Sequence, residues 1–551
     1  MNRPQNGSER DRLLAEATRE FLKRLPPSLA EAVWAAAVPH WFDGEILARI
    51  LGIPEEDAAA RYARLQEMPF VQPAAGRGHA VHELTRRLLL DDLWRDRQEA
   101  FRAWSRRAAE AFESRPDAPD FLLESIYHWL VADPDRGADR VWNWGAEWNN
   151  TFQYARLHAL VQAGLEHEEA GRLEGRARGW VLFRKGQLHI LYNEYRAAKT
   201  ALEGALESAS GDRQLEANCI KALGDVHHML DEYGAARGRY EEALDIYREI
   251  GARLGEANCI KALGDVHYML DEYGAARGRY EEALGIYREI GDRLGEANCI
   301  QALGDVHLRL GEYGAARGRY EEALGIYREI GDRWGEAKCI KALGDLWADQ
   351  EEVEKALAFL DEAEARFSAL GLPAYVAWVH NSRGNLWHRR EDHAAAVEAY
   401  TRAIQAWPQE GAFYRNRADT FIEMGDFAAA AADLEQAATL APEHPYLALR
   451  RAQLAFYMRD YSSALRHAQE ALVRRSPFAP AALLAALAHL ALGDEGEATR
   501  ALETAIQGPH DKEDLEDALR WLERLPETVP PEAVERFRER LREALNRFRP
   551  R

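Results

Sequence analysis

Positive charge is in short supply in this chain. Across 551 residues, 71 Lys and Arg stand against 92 Asp and Glu, which leaves a formal charge of −21 and a pI near 5.4. A nucleic-acid coat or an anionic-membrane binder needs a basic face, so this balance argues against both. Lysine is scarcer still, at nine residues, and the cationic surface is therefore almost all Arg. Long apolar runs are missing as well. The most apolar one, residues 479–492 (APAALLAALAHLAL), is too short to span a bilayer and carries His489. Residues 1–12 (MNRPQNGSERDR) have no apolar core for export, so a soluble, cytoplasmic chain is expected. Neither a G-x-x-x-x-G-K-[ST] loop nor an H-E-x-x-H helix occurs, although His79, His82 and Glu83 lie close together.

The four cysteines, Cys219, Cys259, Cys299 and Cys339, are each forty residues apart. That separation leaves no C-x-x-C pair for a redox site or a zinc knuckle. It points instead to a repeat array, in which the cysteines are small apolar packing residues. Shifting the chain by forty confirms the period. Residues 253–292 and 293–332 differ at four of forty positions: Lys261/Gln301, Tyr268/Leu308, Met269/Arg309 and Asp271/Gly311.

Each unit reads as two helices. The first covers about 216–229, with Ile220, Leu223, Val226 and His227 at helical spacing; the second covers about 233–250, and Gly251 stops it. A small residue on each helix, twelve apart, lets the pair approach closely. The pairs are Gly186/Ala198, Gly224/Ala236, Gly264/Ala276, Gly304/Ala316, Gly344/Ala356, Gly384/Ala396, Ala418/Ala430, Ala452/Ala464 and Ala486/Ala498. Successive units are spaced by 38, then four times by 40, then three times by 34. One such hairpin cannot bury its apolar face, whereas a stack of them forms a continuous core that needs capped ends. Residues 513–522 and 531–548 supply a polar C-terminal cap. His227, His267 and His307, about one repeat width of ~10 Å apart, are too distant to share one metal and are read as core or second-layer residues.

The columns Leu223-Gly224, Ala236, Tyr240 and Ala243, and later Ala396, Tyr400, Ala403 and Pro408, resemble the tetratricopeptide repeat family over residues 178–508. His227, His267 and His307 depart from it, standing where an aromatic Tyr is usual. The resemblance implies an all-α fold, a right-handed superhelix of about nine helical hairpins with a concave groove that binds peptides or partner proteins. On the first helix, positions i, i+3, i+7 and i+10 form one stripe. It reads Asn218, Lys221, Asp225 and His228, then Asn258, Lys261, Asp265 and Tyr268, then Asn298, Gln301, Asp305 and Leu308, with Met269, Arg309, Lys341 and Asp345 on or beside the same face. The resemblance places these columns in the groove. Three of the four copy differences fall there too, as expected of an individually tuned surface. Each Lys lies one turn before an Asp that would neutralise it, so an acidic-terminus clamp is disfavoured and a mixed-charge or Arg-bearing partner fits better.

The first 175 residues differ in character. Ser28 is expected to cap a helix over 29–38, Asp43 one over 44–51, and Pro54 to start a third over 55–68. Residues 70–72 and 79–82 flank a Gly-rich turn and read as a β-hairpin, followed by a helix over 83–94. Three helices and a hairpin make a winged-helix pattern. The stretch LPPSLAEAVWAAAVPHWFDGEILARILGI, LQEMPFVQP and HAVHELTRRLLL resembles the winged-helix segment of signal-transduction ATPases with numerous domains, here without the ATPase. The helix that would read DNA opens with three acidic residues and offers only Arg61 and Arg64. Residues 141–150 (VWNWGAEWNN) hold three Trp and are read as a plug at the junction with the repeats.

The expected organisation is a polar leader and lead helix (1–24), a winged-helix-like domain (25–97), a helical connector (98–175), the repeats (176–508) and the cap (509–551). The expected function is a non-enzymatic adaptor or sensor in a bacterial signalling or defence pathway, with neither cofactor nor metal. Its partner would be a protein or peptide, such as a separately encoded effector enzyme. The alternative is a DNA-binding regulator with the repeats as sensor.

Overall fold

The computed structural model describes residues 9–115, 119–151, 153–209, 211–508 and 512–547. Residues 1–8 of the expected leader and 509–511 and 548–551 of the expected cap lie outside the described residues. The secondary structure described is 29 helices and one two-stranded sheet, an all-α chain of repeated helical hairpins. It divides into two compact units, Met1–Val266 and His267–Arg551.

In the first unit, helix Glu9–Lys23 precedes helices Pro27–Ala36, Gly44–Leu51 and Glu55–Gln66, strands Val71–Ala74 and Gly78–Val81, and helix Glu83–Asp96. Asp43 caps as expected, its carboxylate accepting from the Ile46 amide at 2.8 Å. Ser28 does not. Pro26 takes the cap position and Pro27 starts the helix, because proline's fixed φ suits the first turn and it has no N–H to satisfy. The strands pair antiparallel, Val71 opposite Val81, and Phe42 bridges to His79. Phe42, Leu47, Ile50, Leu65, Leu90 and Leu93 fill the space beneath.

A buried polar network ties this module to the helices that follow, Gln98–Glu113, Pro119–Ala132, Pro134–Asn150 and Tyr154–Glu169. Arg86 donates to the Val38 and Pro39 carbonyls, to the Tyr127 hydroxyl at 2.9 Å and to Glu166 at 2.8 Å. His40 joins Glu124 at 2.6 Å and Glu166 at 2.8 Å. Burial alone would raise both carboxyls, but His40 beside both, His128 beside Glu124 and Arg86 beside Glu166 hold them well below the usual range. The Trp-rich run plugs the junction as expected. Trp148 is buried, and the Trp142 ring lies 4.5 Å from Trp180 on the first repeat helix, Gly175–Leu191.

Nine successive helix pairs run from Gly175 to Gln507. Glycine on the first helix of a pair is required by what lies opposite. A Cβ on Gly186 would come within 2.7 Å of the Leu202 side chain, one on Gly224 within 2.7 Å of the Tyr240 ring, and one on Gly304 within 2.6 Å of the Tyr320 ring. Within the second unit, successive first helices make closer contact than successive second helices do. The stack there curves with the first helices on its inner side.

The two repeat lengths close their central turn differently. Asp392, Asp426, Asp460 and Asp494, 34 apart, cap the second helices through backbone amides. In the 40-residue repeats the same position is Glu232, Glu272 or Glu312, which instead pairs with His227, His267 or His307. The unusual histidines are therefore turn fasteners in the second layer. All four cysteines are buried, and burial pushes the Cys259 and Cys339 thiols up to about 12. Helices Lys512–Leu522 and Pro531–Arg547 close the second unit, with Leu515, Trp521, Phe537 and Leu541 joining the core of helix Ala479–Ala491.

Gly304→Ala should cost about 1–3 kcal/mol in urea unfolding, because Tyr320 must move in a packed core. Gly278→Ala, in a helix position with open space around it, should be neutral or stabilise by up to about 1 kcal/mol. Equal midpoints for the two variants would refute the close-approach argument.

Candidate functional site

The first-helix stripe is built from the back. In the first unit, the Tyr240 ring packs against Gly224 and its hydroxyl reaches the neighbouring Asp225 at 3.0 Å. Tyr247 from the same second helix donates to Asn218 at 2.5 Å. From the front, Lys221 meets Asp225 at 2.8 Å and Lys261 meets Asp265 at 2.8 Å, the mutual neutralisation expected one turn apart. Asn258 is exposed, while His228 is half-buried with its ring edge-on to Tyr233. The asparagine column is thus partly structural: Asn218 fastens the two helices of its own repeat.

In the second unit the pattern continues with substitutions. Tyr327 donates to Asn298 at 2.7 Å and to Gln301 at 3.3 Å, and Lys341 meets Asp345 at 2.7 Å. Leu308 is half-buried and Met269 exposed. Three of the positions that distinguish the near-identical copies touch a neighbour in this unit. Arg309 donates to the Tyr268 hydroxyl at 3.2 Å, joining one repeat to the next. Asp271 accepts from the Tyr273 hydroxyl at 2.9 Å and forms an ion pair with Arg475, more than 200 residues away.

Asp305 stands apart from the other aspartates of its column. Gln301 occupies the place of the lysine that Asp225, Asp265 and Asp345 each have one turn earlier. Burial pushes the Asp305 carboxyl up to about 6. The Tyr320 hydroxyl at 2.7 Å and the charges of Lys338, Arg309 and Lys341 pull it down without cancelling burial.

This face does not end at Asp345. Arg309, Asp349, Arg389 and Glu423 occupy one column at spacings of 40, 40 and 34, so the repeat period itself carried the signal. Asp349 pairs with Arg389 at 3.0 Å, and burial raises its carboxyl. Glu423 is pushed up to about 7 by burial and by the carboxylates of Asp419 and Asp517. Arg450 reaches Asp419 at 2.8 Å. The second unit therefore presents alternating charge with more carboxylate than cation to match it.

Residues 256–329 match one sequence model of the tetratricopeptide repeat, and residues 415–456 and 449–512 match another. A DnaJ homolog subfamily C member 7 homolog of Schizosaccharomyces pombe is 32% identical over 75 residues, which cover 13% of this chain and 16% of that relative. Two solved structures are similar at 15% identity. A signal transduction ATPase with numerous domains from Pyrococcus horikoshii, which has a tetratricopeptide repeat sensor, matches 77% of this chain and 64% of its own at a TM-score of 0.48. A Rap protein complexed with competence and sporulation factor matches 67% of this chain and 98% of its own at 0.46. No described helix is long and apolar enough to cross a membrane.

Asp305 sets a pH dependence. Its folded-state pKa is raised, so the folded chain keeps a proton that the unfolded chain releases, and stability falls as pH rises from about 4 to about 6. Asp305→Asn should remove about 1–2 kcal/mol of that fall once solvent screening is allowed for. Urea midpoints of both proteins across this range provide the check, and parallel curves would contradict it.

Proposed function

We propose that this chain, which carries tetratricopeptide repeats, is a non-enzymatic adaptor or sensor. It holds a segment of a partner protein along the first-helix face of its repeats, in a signalling or defence pathway whose effector enzyme is a separate chain. The observation that supports this most is the mismatch at Asp305. A half-buried carboxylate is oriented by Tyr320 but lacks the lysine its counterparts have, so an Arg or Lys from a partner would complete the column. The carboxylate of Asp349 extends the same preference. Residues 25–97 serve, in this reading, as a winged-helix-like second docking module.

A DNA-binding regulator has less support. Helix Glu55–Gln66 opens with Glu55, Glu56 and Asp57, and Arg61 and Arg64 are engaged by Glu31 and Glu67. A salt-dependent shift of duplex DNA by the full chain would favour it.

A photo-crosslinking residue in place of Gln301 should capture a partner, while the same residue in place of the exposed Glu321 on a second helix should not. Asp305→Asn should reduce recovery of that partner about tenfold, the effect of losing ~1.4 kcal/mol, with helical circular dichroism unchanged. Equal capture from both positions, or recovery unaffected by Asp305→Asn, would overturn the reading.

A further inference from the structure

Among the described residues, one group of side chains has the spacing of a metal site: His388, His393 and Glu423, whose ligand atoms all lie within 4.8 Å of one another. They come from the end of helix Pro373–Arg389, the start of helix His393–Ala406, and the end of helix Gly411–Met424 in the next repeat. Glu423 Oε2 is 3.7 Å from His388 Nε2 and 3.7 Å from His393 Nδ1, and Asp419 Oδ2 is 3.8 Å from His388 Nε2.

Those distances are too long for hydrogen bonds, and the tautomer of His388 explains why none forms. Its Nδ1 lies 3.0 Å from the hydroxyl of fully buried Thr420, which donates its own hydrogen to the Asn416 carbonyl. With the hydroxyl hydrogen on the Asn416 carbonyl, Thr420 accepts from Nδ1–H of His388 and leaves the Nε2 lone pair toward the cluster. His393 Nδ1 is buried without a hydrogen-bond partner, and so is Oδ1 of Asp419, a residue only 8% exposed. His388 Nε2, His393 Nδ1 and the carboxylates of Glu423 and Asp419 thus converge on one point without a hydrogen bond among them. Arg450 neutralises Asp419 from one side, and Asp517 and Arg520 flank Glu423.

We propose that His388 Nε2, His393 Nδ1 and Glu423 bind one divalent transition ion of the zinc class, with water completing the shell. Two imidazoles and one carboxylate suit that class. Metal–ligand bonds of about 2.0–2.2 Å in a tetrahedron would set the ligand atoms ~3.4 Å apart, so each of the two histidine–glutamate separations of 3.7 Å closes by a few tenths of an ångström on binding. Thr420 fixes the ligating tautomer of His388 in the way outer-shell partners orient metal-bound histidines. The ion would bridge two adjacent repeats and lock their relative orientation, independently of whether a partner occupies the groove.

The test uses the full chain, untagged and treated with chelator, titrated with Co²⁺ and followed by its visible d–d bands. Competition with Zn²⁺ and calorimetry complete it. One saturable ion per chain is expected, with a zinc-dependent rise in Tm. His393→Ala and Glu423→Gln should each weaken binding by at least the tenfold to about hundredfold that even outer-shell changes cost, and abolish the rise in Tm. Glu423→Gln nearly preserves shape, so it serves if the alanine variant folds poorly. Absence of saturable binding, or equal affinity in wild type and Glu423→Gln, overturns the proposal.

Discussion

The contact between a first-helix glycine and a second-helix tyrosine governs both packing and chemistry in this molecule. At Gly224 and Gly304 a Cβ has no room, because the rings of Tyr240 and Tyr320 lie against the helix backbone. The same placement carries each hydroxyl to the residue after the glycine, Asp225 or Asp305. One small residue therefore sets the distance between the helices and aims a carboxylate from behind. Where the partner is Leu360, Gly344 still packs closely, but Asp345 has no such tyrosine and is held by Lys341 instead. Packing is common to the repeats while the polar fastening varies, which is how a duplicated array acquires different chemistry at each step.

The copy differences illustrate this variation. Arg309 and Tyr268 changed on adjacent repeats and now meet each other, and Asp271, in a left-handed turn where its counterpart is Gly311, pairs with Arg475. These three positions make contacts within the second unit, so their divergence reflects internal fit at least as much as ligand choice. Gln301 differs in kind. Replacing lysine there removes a cation without supplying another and leaves Asp305 under-neutralised. A partner's charge has a place at that position, whereas at Arg309 the chain already uses its own.

Periodicity made the hairpin array, the glycine columns, the Lys–Asp pairs and the buried cysteines legible in the sequence, because each depends on neighbours within one repeat or the next. The Asp43 cap and the hairpin at 71–81 were legible for the same local reason. The Ser28 cap was misread because Pro26-Pro27 starts a helix without any side-chain cap. Long-range pairings were not legible. The His40–Glu124–Glu166 network joins residues up to 126 apart, and nothing local marks His40 as its centre. The group at His388, His393 and Glu423 straddles the change from 40-residue to 34-residue spacing, so a search at either period alone misses it.

Net charge acquires a location from these contacts. Many of the acidic residues on second helices and in the cap are spent in short-range pairs, such as Arg239 with Glu242 and Arg540 with Glu503, where exposed ion pairs contribute little to stability. Carboxylates on the first-helix face of the second unit are different. Asp305, Asp349 and Glu423, with Asp517 of the cap helix beside Glu423, are all raised by burial, because the protein withdraws solvent from them faster than it supplies cations. A surface of that kind is destabilised when empty at neutral pH and is relieved by any cation with the right reach. For a metal ion that reach is set by two imidazoles, and for a protein partner by an Arg or Lys that can extend to Asp305. The two occupants would then act on the same imbalance at different steps of one array.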